Sequence, residues 1–144
     1  MRQDNLRRLT LGDRIVVGGT LVTLVAMLLP WWDSGLGVTA NGFHDWGWLT
    51  LLALAGVAML LVVRITAADG GPRLSVDDDV AYLIGGAAEV LGSVIFWVGN
   101  NGRLVGGVRF GVFVALVGGM VTVIGGWVKR MEMRPLGPSH GGDR

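Results

Sequence analysis

The stretch VAYLIGGAAEVLGSVIFWV, residues 80–98, decides the fold. Its nineteen residues hold one charged side chain, Glu89, and as a helix they reach across the roughly 30 Å hydrocarbon core of a bilayer. Backbone polar groups cannot stay unpaired in lipid, so a spanning segment is either a helix or a strand of a closed barrel. A continuous apolar run without alternation selects the helix. Working outward, three further blocks read the same way: Ile15 to Leu29, Trp46 to Val63 and Val108 to Val128. Breakers or charges bound each of them. Pro30-Trp31-Trp32 closes the first, and Asn41-Gly42 with Asp45 precedes the second. Asp77-Asp78-Asp79 opens the third, with Ser75 and Asp78 at capping-box spacing, and Asn100-Asn101-Gly102 ends it. The blocks predict an all-α integral membrane four-helix bundle forming a single membrane domain over 1–144, with helices about 13–30, 46–64, 79–99 and 108–129. The tail from about 131 to 144, with Pro135, Pro138 and Gly141-Gly142, is expected to be disordered.

Composition agrees: 51% of the residues are hydrophobic, 16% are charged, and the mean hydropathy is +0.57. A soluble domain of this size needs more polar surface. A net charge of +1 gives no reason to expect nucleic acid as a partner. The absence of cysteine removes disulfides, thiolate metal sites and cysteine nucleophiles. No nucleophile–base pair, phosphate-binding loop or metal-spaced cluster is present, so neither an enzyme nor a cofactor is expected.

Basic residues set the orientation. Arg2, Arg7, Arg8, Arg14, Arg64, Arg73, Lys129, Arg130, Arg134 and Arg144 fall on one side, and only Arg103 and Arg109 on the other. The positive-inside rule then places both termini in the cytoplasm of a multi-pass plasma-membrane protein. A competing reading takes Arg7-Arg8 and the first block as a signal peptide cleaved after Val38-Thr39-Ala40; the long apolar stretch and Pro30-Trp31-Trp32 stand against it.

Trp31, Trp32, Trp46 and Trp48 map to the outer interface and are the expected outer contact surface. Between them, Leu36 to Ala40, Asn41-Gly42 and Phe43-His44 predict a small hairpin with a type I′ turn at Asn41-Gly42. Asp33, His44 and Asp45 share this loop, but neighbouring residues on a loop rarely converge on one metal ion, and capping by Asp45 is the simpler reading.

Small residues recur every seven positions: Gly85, Gly92 and Gly99 in the third helix, Gly111, Gly118 and Gly125 in the fourth, and Gly12, Gly19 and Ala26 in the first. That spacing keeps one face toward a neighbour in a left-handed crossing of about 20°. Helices three and four, joined by a short connection, are the expected pair. Glu89 follows Gly85 by four and precedes Gly92 by three, which puts it on the glycine face, at the depth of Gly118 and one turn from Thr122. A carboxylate at mid-bilayer costs about 2.5–3.5 kcal/mol. As a structural group, Glu89 would bond a backbone carbonyl or Thr122; as a functional one, it would carry a proton or bind a cation.

The Leu29-Pro30-Trp31-Trp32 end, the Asn41-Gly42-Phe43 segment and Asp45-Trp46-Gly47-Trp48 together resemble small four-helix membrane proteins of actinobacteria, most of them without assigned function. That resemblance implies the topology and transfers no catalytic or binding residue. The four spans with an aromatic first outer loop are also similar to claudin-like scaffolds, whose paired loop cysteines this chain lacks. Two functions are expected from these features. One is a non-enzymatic accessory or scaffold subunit, packing through its glycine faces against itself or a larger membrane complex. The alternative is a small homo-oligomeric proton- or cation-coupled transporter or channel using Glu89.

Overall fold

The structure is a computed structural model, and it describes residues 9–67, 77–101 and 106–133. Arg2, Arg7, Arg8, Arg73, Ser75, Arg103 and the tail from 134 onward, all used in the sequence reading, lie outside the described residues. Four helices carry the fold: α1 (Leu11–Leu28), α2 (Gly47–Ala67), α3 (Asp78–Asn100) and α4 (Phe110–Met133). Each is long and apolar enough to cross a membrane. Three short strands, β1 (Pro30–Asp33), β2 (Thr39–Asn41) and β3 (Gly107–Val108), form a sheet in the order β2-β1-β3. The chain is mostly helical, as expected, and the loop between α1 and α2 contributes to a small sheet that a third strand extends.

Local chemistry sets the helix limits. α1 opens on a capping box that the hydropathy reading missed: the Asp13 amide donates to Thr10 Oγ1 at 3.3 Å, and the Thr10 amide donates to Asp13 Oδ2 at 3.1 Å. It stops at Leu28, not residue 30. Leu29 precedes proline and is extended (ψ 159°), because the proline ring disfavours a helical residue before it. Pro30-Trp31-Trp32 is thereby strand, not helix end. α3 starts after Asp77, whose side chain makes no capping bond; Asp78 and Asp79 supply the negative charge favoured in a first turn.

The loop holds a hairpin, but with other strands and another turn than expected: Phe43-His44 is in no strand, and Pro30–Asp33 takes its place as the partner of Thr39–Asn41. β1 pairs antiparallel with β2, Trp32 opposite Ala40, and the reversal is Ser34 to Val38. Asp33 Oδ1 accepts from the Gly35 amide, and Ser34 Oγ accepts from the amides of Leu36 and Val38. Gly35 and Gly37, at φ 73° and 85°, take the left-handed positions such a loop requires. Asn41-Gly42 instead leaves the sheet: the Gly42 amide donates to the Met27 carbonyl at 3.1 Å. β3, from the connection between α3 and α4, pairs with β1 through Trp32 and Val108, tying the α1–α2 and α3–α4 connections together.

The most extensive helix contact is α1 with α4, which corrects the expectation that helices three and four form the closest pair. A Cβ on Gly19 would stand 2.7 Å from the Thr122 nitrogen, and one on Gly118 would stand 2.8 Å from the Thr23 nitrogen. Gly12 and Gly125 interlock in the same way with Lys129 and Val16. The opposite edge of α4 meets α3: Gly119 lies against Val90, Gly126 against Leu83, and Gly86 against Val123. Gly85 and Gly92 turn away from α4 toward α2, Gly85 against Val57 and Gly92 with its hypothetical Cβ 2.7 Å from the Thr50 nitrogen. The sevenfold stripes are thus contacts within the chain, spent on two helix pairs, α1 with α4 and α2 with α3, while glycines outside the stripes make the contact of α3 with α4.

Two apolar clusters fill the bundle. One, toward the sheet, joins Ala26, Met27, Trp31, Leu54, Phe96, Val112 and Ala115; the other, toward the far end, joins Val16, Val57, Leu61 and Tyr82. Buried polar residues occupy the level between them.

Candidate functional site

Glu89 is the midpoint of α3 and has no exposed surface. Its neighbours come from all four helices. Thr23 of α1 donates to Glu89 Oε2 at 3.0 Å. Gly119 of α4 presents only backbone, with its hypothetical Cβ 3.1 Å from that of Glu89. Ser93 donates to the Glu89 carbonyl at 3.0 Å, and the Ser93 hydroxyl lies 3.5 Å from that of Thr50 on α2. The expected partner Thr122 is buried nearby, yet its hydroxyl donates to the Gly118 carbonyl at 3.1 Å, the bond open to any threonine four residues beyond a free acceptor. Thr23, on α1, is thus a hydroxyl that donates to Glu89, and Thr122 stands close beside the same carboxyl. Glu89 Oε1 is buried with no hydrogen-bond partner.

Gly85 and Gly92 are adjacent to this face without belonging to it, since they carry α2, while Gly118 carries α1. The structure brings Glu89 together with the α4 segment that holds Gly118 and Thr122, and adds Thr23, Thr50 and Ser93. Thr50 had no distinguishing signal in an otherwise apolar block.

A second polar centre went unread in the sequence. At the end of the bundle remote from the sheet, each helix gives one charge to a single network. Lys129 Nζ of α4 donates to Asp13 Oδ1 of α1 at 2.7 Å and to Asp78 Oδ2 of α3 at 3.2 Å. Arg64 of α2 contacts Asp13 through Nε at 3.2 Å and also pairs with Asp78. Two positive and two negative side chains cancel. Asp13 and Lys129 are fully buried, and the ammonium also lies 4.8 Å from the centre of the Tyr82 ring. Beside them Glu132 of α4 accepts from the first two amides of α1, Leu11 and Gly12, where a helix has unpaired donors.

At the sheet end the four tryptophans separate. Trp31 is 0% exposed, which corrects its place on the outer contact surface. Its indole nitrogen donates to the Ala26 carbonyl at 2.7 Å, and its ring meets Phe96 edge-on at 5.0 Å between centres. Strand alternation is the reason: when Trp31 points into the bundle, Trp32 points to the other side, where it is half-buried. Trp46 and Trp48 are 51% and 46% exposed, beside an exposed Phe43. Arg109 pairs with Asp33 across the α1–α2 and α3–α4 connections. The Gly35 amide, and then Arg109, hold the Asp33 carboxyl below its ordinary value. His44 contacts Asn41, with Nδ1 3.1 Å from Oδ1.

Compared with protein families, with curated proteins and with solved structures, the chain matches none of them.

Proposed function

We propose that this chain is a non-enzymatic, multi-pass accessory or scaffold subunit of the plasma membrane, with both termini cytoplasmic and the sheet on the outer side. The observation that carries the reading is the division between inside and rim. The charges at the remote end neutralise one another and the glycine stripes are spent between helices, whereas Phe43, Trp46 and Trp48 stand exposed beside a sheet that braces both outer connections. Contact with a partner membrane protein or a second copy therefore runs through this aromatic rim and not through the glycine faces. The shared helix end of Arg14, Arg64, Lys129 and Arg130 supports the cytoplasmic assignment.

The test is purification of the full chain in mild detergent from its native membrane. A fixed-stoichiometry assembly is expected for the wild type and is lost in the Trp46→Ala/Trp48→Ala double variant, which keeps its helix content. A wild-type chain that runs as a bare monomer, or a double variant that assembles normally, refutes the reading.

A further inference from the structure

The polar level around Glu89 has an uneven hydrogen-bond account. Thr20 donates to the Val16 carbonyl, Ser93 to the Glu89 carbonyl and Thr122 to the Gly118 carbonyl, so each of these hydroxyl protons is already committed. A hydroxyl bound in this way turns lone pairs to its surroundings and offers no donor. Thr23 directs its proton at the carboxyl, onto Oε2. Oε1 is left buried without a hydrogen-bond partner. On its α4 side Glu89 meets the bare backbone of Gly119, and among the described residues no charged side chain is paired with it. The charges of Asp13, Arg64, Asp78 and Lys129 are gathered at the helix ends and engaged with one another. A proton on Oε1 removes the charge that a fully buried carboxyl with one oxygen unpartnered and no paired cation would otherwise carry uncompensated.

We propose that Glu89, with Thr23, Thr50, Ser93 and Thr122, forms an occluded proton-binding site whose exchangeable proton sits on Oε1. This goes beyond the scaffold reading and does not depend on it. Occlusion follows from the two apolar clusters. Trp31, Phe96, Met27 and Leu54 close the level on the sheet side, and Val16, Val57, Leu61 and Tyr82 close it on the other. The next unpartnered buried polar atoms lie on the same face of α3: Tyr82 Oη two turns toward the charged end, and Asn100 Oδ1 three turns toward the sheet. Each is a place where an entering water finds a partner. On release, the O–H bond at Oε1 breaks, its electron pair stays on the carboxylate, and the proton passes to a water oxygen. Uptake is the reverse.

The experiment is infrared spectroscopy of the full chain in phosphatidylcholine vesicles, in light and heavy water. The wild type is expected to show a protonated-carboxyl carbonyl band at neutral pH. Glu89→Gln abolishes that band, heavy water shifts it slowly, and alkali removes it reversibly. Absence of the band at neutral pH overturns the proposal. So does a band that ignores both heavy water and alkali, or one that sodium abolishes at constant pH, which would mark a metal-cation site. Thr23→Val provides the second line should Glu89→Gln fail to reconstitute. Loss of the hydrogen bond to Oε2 must move the band, and an unmoved band in that variant overturns the assignment.

Discussion

Replacing Lys129 with methionine isolates the contribution of the four-helix charge network. Methionine keeps the length and most of the volume of the lysine stem, so the packing against Gly12 survives while the ammonium goes. Asp13 then loses its 2.7 Å partner at a site with no solvent exposure. Breaking a buried ion pair on one side costs about 3–5 kcal/mol, because the remaining charge is left without compensation. Arg64 Nε, 3.2 Å from Asp13 Oδ2, still neutralises part of that charge, which sets the expectation at the lower end, about 3 kcal/mol. Neutralising the orphan as well should recover most of the loss. In Asp13→Asn/Lys129→Met the amide oxygen continues to cap Thr10, and Arg64 keeps Asp78. Arg130→Met is the internal control: Arg130 is itself exposed and its contact with Asp79 is 3.9 Å long, and a loose pair open to water on one side contributes about 0–1 kcal/mol. The assay is reversible unfolding in mixed micelles, comparing the wild type, both single variants, the double variant and the control. A Lys129→Met loss no larger than that of Arg130→Met refutes the argument, as does a double variant no more stable than Lys129→Met alone.

Three further outcomes follow from the packing and the outer charges. Gly118→Ala should destabilise by about 1–3 kcal/mol, since the added carbon meets the Thr23 backbone at 2.8 Å, whereas Gly18→Ala, with nothing within 4 Å, should be tolerated; equal effects in the same unfolding assay contradict the α1–α4 contact. Trp31→Phe keeps much of the ring packing but leaves the Ala26 carbonyl with the Leu29 amide as its remaining donor, at a cost of about 0.5–1.5 kcal/mol, and tryptophan fluorescence should lose its most shielded component; an unchanged spectrum would place Trp31 at the rim after all. Asp33 is held below its ordinary value of 3.8, so what its charge contributes is present above that pH and fades only as pH falls through the lower folded value; nuclear magnetic resonance of the Asp33 carboxyl should show a midpoint below 3.8, raised in part by Arg109→Ala because the Gly35 amide remains, and a wild-type midpoint above 3.8 contradicts the geometry.

What the sequence discloses here, and what it hides, divides along one line: period and composition are properties of a single segment, while partners are not. Residues 80–98 declare a spanning helix because nothing in them alternates and nothing in them breaks. The glycine spacing likewise declares which face of each helix comes close to another. It cannot say which neighbour, and so Gly85 and Gly92 were grouped with Glu89 although they face α2, a few tens of degrees around the helix from a carboxyl that meets α1 and α4. The sheet was illegible for a related reason. Strands of two to four residues are too short to show a period, and β3 is completed only by a pairing with Trp32, 76 residues earlier in the Asp33–Arg109 contact beside it. Most telling is the charge network. Asp13 and Lys129 stand 116 residues apart; Lys129 alone reads as an end-of-helix charge useful for orientation, and Asp13 carries no signal of its own. Only the antiparallel return of α4 along α1, with glycine at the crossings to let the backbones close, brings the two into a buried pair. The same crossings deliver Thr23 to Glu89. One geometric fact, the close approach of the first and last helices, thus generates both polar centres.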